Sequence, residues 1–372
     1  MKVLFVAGNA RSLIANRGDL IAAMQEAGHN VSAAVPSEDF LDEVYSLGID
    51  VIPFSLGRTG LNPIKDVGTF ARILGLTRNV KPDVVFTYTI KPVVYGGLAA
   101  RLCRVPRVYS MITGLGMTFS DLATIRARAL RSIVGQLYRI GMTCSDHVFF
   151  QNPDDLSDFV RLGILRNVEK AVRVMGSGVN MHRFPREPLP NGKPVFLFVA
   201  RMLSEKGVCE FVAAANLLKA RWPEARFVAV GPHDPSHPNS VSEALMSRWK
   251  QSGVVEFVGA VNDVRPWLRE ASIFVLPSYY REGTPRSVLE AMSTGRPIIT
   301  SDSPGCRETV IDGDNGFLVP PRDAIALSLA MERFLEEPEL ISKMGDASFR
   351  RVVKDYDVRR VNDVILSTME LV

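Results

Sequence analysis

Short apolar runs recur along the chain at fairly even intervals, separated by longer stretches with helical spacing of apolar positions. In the first half the runs are residues 3–7, 31–35, 84–87, 108–112 and 147–150. They are continuous rather than alternating, the pattern of strands buried on both faces of a parallel sheet. The intervening segments, such as 18–27 and 93–102, predict crossover helices. The rhythm pauses at 181–194, where MHRFPREPLPNGKP holds four prolines in a polar stretch. It resumes at 195–199, 226–230, 255–258, 273–276 and 297–300. The predicted fold class is therefore α/β, two Rossmann-like domains with parallel sheets facing one another across a cleft. The expected organisation is a first domain over 1–180, a linker over 181–194 and a second domain over 195–355. A C-terminal helix over 356–372 is expected to pack back towards the first domain.

The 372 residues suit two domains, and 47% hydrophobic with 23% charged residues is an ordinary soluble composition. No apolar run approaches the roughly 20 residues of a membrane-spanning helix. MKVLFVAG leads straight into a strand, unlike a cleavable signal. Cys103, Cys144, Cys209 and Cys306 are dispersed, so a disulfide scaffold or zinc cluster is not expected. His233 and His237 have helical metal spacing, but Pro232, Pro235 and Pro238 forbid a helix there. These features predict a cytoplasmic chain, peripheral on the membrane at most.

Charge is unevenly spread. Residues 1–180 carry 20 Lys+Arg against 15 Asp+Glu, the remainder 24 against 25. Between 101 and 139 lie seven arginines and a single acid, Asp121. Such a patch suits an anionic partner or, equally simply, a solvated helix face. Residues 121–141 read as an amphipathic helix. Leu122, Ile125, Leu130, Ile133, Leu137 and Ile140 lie on one side, and Arg128, Arg131 and Arg139 on the other. Arg126 falls among the apolar positions. The helix is expected either to dock on an anionic inner membrane surface, with Arg126 meeting an acceptor phosphate, or to pack in the core with Arg126 snorkelling.

In open parallel sheets, ligands bind beyond the carboxyl ends of strands. After the run 195–199 come Arg201, Lys206 and Gly207. A forked guanidinium and a mobile ammonium leaving one strand end can reach one anion. Solvated loop cations are the plain alternative. After 273–276 comes PSYYREGTPRSVLEAMSTG. Thr284 is read as a helix cap with Pro285 at the first helical position. Glu282 precedes the cap, Glu290 sits inside the helix, and the amides from Gly283 onward can face an anion. A carboxylate near a buried helix face needs hydrogen-bond donors, which sugar hydroxyls supply. A dipole-stabilising Glu and an unrelated surface Glu remain the plain alternative.

Glu282-x7-Glu290 within EGTPRSVLEAMSTGRPIITSDSPGCRETV resembles the donor-site signature of family 4 glycosyltransferases, retaining enzymes of the twin-Rossmann GT-B type. Gly178-Val179-Asn180 with Phe184 is similar to that family's pre-linker motif. SLGRTGLNPIKD and KPVVYGGLAARLCRVPRVYSMITGLGMTF resemble a bacterial subgroup that extends undecaprenyl-diphosphate-linked glycans. The resemblance implies that Glu290 binds the nucleotide ribose, Glu282 the transferred sugar, and Arg201 with Lys206 the diphosphate. Gly8, after the first strand, is placed near the diphosphate, and Gly283, Thr284 and Pro285 on the donor. The acceptor side would include Lys91, Thr113, Gly114 and Arg126. Many family members carry a histidine near Thr113, and this chain has none there.

The implied reaction is retaining transfer of a hexose or N-acetylhexosamine from a nucleotide sugar, by family habit a UDP-sugar. The acceptor is a lipid-diphosphate-linked or oligosaccharide glycan, and no metal, other cofactor or nucleic acid is expected. A nucleotide-sugar epimerase on the same twin fold is the alternative. A nicotinamide-dependent dehydrogenase is disfavoured because the glycine fingerprint is missing, and a lipid-binding module would leave the two glutamates unexplained.

Overall fold

The computed structural model describes residues 1–36, 41–56, 63–119 and 125–372, without the side chains of 63, 64, 117, 118, 126 and 127. The chain divides into two compact units, Met1–Ser177 with Val358–Val372, and Gly178–Asp357.

The first unit is built on β1 (Lys2–Val6), β2 (Asn30–Pro36), β3 (Asp50–Phe54), β4 (Val84–Tyr88), β5 (Arg107–Ile112), β6 (His147–Phe150) and β7 (Ala171–Arg173). They form one parallel sheet in the order β3-β2-β1-β4-β5-β6-β7, with Val3 opposite both Val31 and Val84. The central strands are those the apolar runs predict. β3 and β7 lie outside the predicted runs; they are the edge strands, short and more exposed than the central ones. Phe5, Phe86 and Phe149 pack in a row as tilted rings, centroids 5.1 and 6.0 Å apart. The chain's last helix, Val358–Thr368, belongs to this unit. Its Val361, Ile365 and Leu366 share a buried cluster with Leu13, Leu20 and Met24. Asn362 Nδ2 donates to the Asp19 carbonyl at 3.1 Å.

The helix Ile125–Cys144 departs from its helical-wheel reading. Val134, Tyr138 and Met142 are buried, whereas Ile125, Leu130, Ile133 and Ile140 are exposed, Ile125 by 78%. These four members of the apolar stripe thus face solvent, Leu137 is half-buried, and a different set of residues anchors the helix. Leu122 and the side chain of Arg126 lie outside the described residues, as do residues 57–62 of the SLGRTGLNPIKD motif. Among the described residues, no helix is long and apolar enough to cross a membrane.

The second unit holds β8 (Val195–Val199), β9 (Arg226–Val230), β10 (Glu256–Gly259), β11 (Ile273–Leu276), β12 (Ile298–Ser301) and β13 (Gly316–Val319). All are parallel, in the order β10-β9-β8-β11-β12-β13. This is the doubly wound order, whose direction reverses between the first and fourth strands. That switch point lies between β8 and β11. Residues 178–194 belong to this unit, fastened by the buried Arg296. Its guanidinium donates to the carbonyls of Glu187 (3.0 Å), Pro188 (2.9 Å), Leu268 (3.0 Å) and Arg269 (3.1 Å). Burial lowers the Arg296 pKa to about 10, opposed by nearby Glu187, so its charge persists at neutral pH.

Candidate active site

The loops that leave β8 and β11 carry Arg201, Lys206 and Glu282, and the helix after β11 carries Glu290, so the candidate residues gather at the switch point of the second sheet. The fit between the two loops is close. Gly207 adopts φ +80°, and a Cβ there would collide with the Pro277 carbonyl, so only glycine admits this approach. The backbone carbonyl of Glu205 accepts from Tyr279 N and Tyr280 N, both at 3.0 Å, and from Ser278 Oγ at 3.2 Å. Its buried carboxylate accepts from Asn239 Nδ2 at 3.0 Å, which draws in the loop after β9. Three strand ends are tied together through one residue.

Lys206 lies on this support. Its Nζ is 2.7 Å from Glu282 Oε1, and both side chains are largely buried. Ser278 Oγ donates to the same carboxylate oxygen at 2.8 Å. Lys206 Nζ also lies 5.0 Å from the centre of the Tyr280 ring, within reach of a cation–π attraction. Arg201 is exposed and, among the described residues, makes no ion pair. Its charge is nevertheless felt locally. Burial and the Glu282 carboxylate push the Tyr280 phenol up, and Arg201 opposes them. Arg201, Lys206, Glu282 and Tyr280 therefore share one electrostatic neighbourhood. Beneath it, Cys306 is buried beside Ser278, and burial together with Glu282 keeps its thiol protonated.

Glu290 stands apart from this group in its partners. It lies on the helix Arg286–Ser293, and its Oε1 accepts from Arg286 Nε at 2.7 Å. Burial raises its pKa, opposed by Arg286 and by Arg183. The helix cap differs from the sequence reading. Pro285, with ψ 117°, is the capping position and offers no side-chain cap, and Arg286 is the first helical residue. Thr284 thus lies one place further out than the sequence reading has it, because Pro285 itself takes an extended ψ instead of opening the helix. Glu282 and Gly283 are backed by Gly305 at φ +84°, where a Cβ would strike both their carbonyls. The amides at the start of the helix are thereby presented from a braced loop, the geometry of an anion site.

In the first unit, Gly8 follows β1 and lies beside the Thr89 hydroxyl. Thr113 and Gly114 follow β5, Gly114 with φ +104°. Lys91, expected on the acceptor side, is buried and paired with Asp66 at 2.8 Å. Arg126 lies in the helix Ile125–Cys144, its side chain outside the described residues. On that helix Arg128, Arg131 and Arg139 line one cavity of about 270 Å³. Sequence reasoning passed over Tyr280, Glu205 and Arg286. Only Arg286 carried a local signal, its four-residue spacing to Glu290.

Comparison with known proteins supplies the remaining finding. Residues 193–337 match the model described as glycosyl transferases group 1, and residues 16–176 the glycosyl transferase 4-like domain. The N,N'-diacetylbacillosaminyl-diphospho-undecaprenol alpha-1,3-N-acetylgalactosaminyltransferase of Campylobacter jejuni is 29% identical over 353 residues, 91% of each chain. The Escherichia coli UDP-Gal:alpha-D-GlcNAc-diphosphoundecaprenol alpha-1,3-galactosyltransferase is 24% identical over 343 residues, 88% of this chain and 85% of that one. Among solved structures, Anabaena HepE in complex with UDP superposes with a TM-score of 0.80 at 16% identity, covering 100% of both chains.

Proposed function

We propose that this glycosyltransferase of GT-B architecture, similar in both halves to family 4 enzymes and using nucleotide sugars, takes a lipid-diphosphate-linked glycan as acceptor and a UDP-hexose or UDP-N-acetylhexosamine as donor. The observation that carries this reading is the convergence of Arg201, Lys206 and the Glu282 loop on one switch point. Two relatives along nearly the whole chain are named for undecaprenyl-diphosphate acceptors, one of them for a UDP-sugar donor. An epimerase on the same fold gains no support from them.

In the proposed reaction the bond between the anomeric carbon and the leaving diphosphate oxygen breaks. The acceptor hydroxyl bonds to the same face, with retention, and its proton passes to the diphosphate. Lys206 and Arg201 stabilise the charge that grows on the diphosphate, with the first amides of the helix Arg286–Ser293. Glu282 orients the transferred sugar, and the donor displaces it from Lys206. Glu290 accepts the ribose hydroxyls. The chemistry needs no metal on this reading, because two cations and a helix terminus occupy the place of one.

We further infer that the helix Ile125–Cys144 brings the enzyme to the anionic membrane face where such acceptors reside. Its exposed isoleucines on one side and the arginine-lined cavity on another support this. The test is release of nucleoside diphosphate from a panel of nucleotide sugars, with lipid-diphosphate glycans as acceptors and with or without EDTA. Acceptor-dependent release of UDP, unaffected by EDTA, is expected. Isomerised donor without acceptor, or strict dependence on a divalent cation, would overturn the corresponding part.

A further inference from the structure

Arg286 is the first residue of its helix, where the exposed amides already concentrate positive charge and a cation is disfavoured. It pairs with Glu290 one turn later, the reverse of the acid-before-base order that stabilises helices. The pair is also largely buried, the side chains 19% and 12% exposed, so desolvation offsets much of its attraction. A contact serving the fold alone would be expected in the opposite order and nearer water. The arrangement makes sense if Glu290 must be a carboxylate with a fixed direction.

The charges that bear on Glu290 are few. Arg286 comes from its own helix and Arg183 from the segment that precedes Phe184. The helix Glu339–Arg351, the turn Val352–Tyr356 and the uncharged strands β11 and β12 also pack against this helix; of the charges the first two carry, Arg350, Arg351, Lys354 and Asp355 among them, none is among those that shift Glu290. Among the described residues, Arg286 is the one that touches the carboxylate, through its Nε–H to Oε1. That geometry occupies one edge of Glu290 and sets the plane in which the rest of the group meets a ligand.

We propose that Arg286 is a positioning residue for the nucleotide, holding Glu290 in the charge state and orientation that accept sugar hydroxyls. This rests on the reading that Glu290 binds the ribose. With Arg286 gone, burial acts on Glu290 against Arg183 only, and the group takes up a proton at a higher pH. A protonated carboxyl loses its charge-assisted hydrogen bonds to hydroxyls.

The test is calorimetric affinity for UDP between pH 5.5 and 9 in the full chain, with other nucleoside diphosphates as controls. Arg286→Met keeps the alkyl stem, Arg286→Lys restores a cation, and Glu290→Gln mimics the protonated group. We expect Arg286→Met to bind a few-fold more weakly than the parent at the alkaline end, where only the orientation is lost, and about 10- to 100-fold more weakly at the acid end, converging on Glu290→Gln. Arg286→Lys should move the acid limb part of the way back. A loss of equal size at every pH, or none, overturns the positioning role even if Glu290→Gln is impaired. Parent binding that Glu290→Gln leaves intact instead overturns the ribose reading on which the proposal rests, and absence of any nucleoside diphosphate binding overturns both.

Discussion

Lys206 Nζ and Glu282 Oε1 lie 2.7 Å apart, although they leave different strands and belong to loops far separated in sequence. The pair is largely buried, and Ser278 shares the carboxylate. The cation proposed for the diphosphate is therefore held in place by the acid proposed for the sugar.

If that arrangement serves transfer, Lys206→Ala should lower kcat by about 10²- to 10³-fold, equivalent to about 3 kcal/mol. Circular dichroism and the melting curve should show an intact fold. Glu282→Gln should be milder in nucleotide affinity than in turnover, since its proposed contact is with the sugar. Steady-state release of nucleoside diphosphate separates the two, and a Lys206→Ala enzyme of undiminished rate removes the role.

Glu290 gives stability a pH dependence of known sign. Its carboxyl is pushed above the usual range in the folded protein by burial, against Arg286 and Arg183. Between the unfolded and folded pKa values the native state holds more protons, so stability falls as pH rises through that window. Each unit of difference is worth about 1.4 kcal/mol. Glu290→Gln should lack this component, so its melting temperature relative to the parent's rises above pH 4.5 and then levels. Parallel profiles for the two proteins would contradict the assignment.

Arg296 is fully buried and donates to four backbone carbonyls that join residues 187–188 to 268–269. Arg296→Met should leave those acceptors unsatisfied and destabilise the second unit by about 3–5 kcal/mol. Denaturant melts would show an earlier midpoint. A change under 1 kcal/mol would mean the segment is held by something else.

The exposed stripe predicts interfacial binding. Sedimentation with vesicles containing anionic phospholipid should capture the parent at low salt and much less at high salt. Replacing Arg128, Arg131 and Arg139 with alanine should weaken binding by roughly 3 kcal/mol, on the order of 1 kcal/mol per arginine. Replacing Ile133 and Ile140 with aspartate should reduce capture even at low salt. A parent that stays in the supernatant at low salt ends the membrane proposal.

The sequence by itself determined the two parallel sheets and the loops that bear the chemistry. Central strands such as β1, β4, β8 and β11 are apolar on both faces, so continuous runs betray them without knowledge of their neighbours. The charged residues after β8 and β11 could be found because strand ends are where parallel sheets expose loops. What only tertiary structure decided are relations between distant residues: Lys206 with Glu282, Lys91 with Asp66, Arg296 with its four carbonyls. It also decided that Val134, Tyr138 and Met142, rather than the isoleucines, are the buried face of their helix. Helical spacing reports only that a chain has an apolar side. Which side is covered depends on the surface it meets, and that surface is assembled from strands and helices elsewhere in the chain.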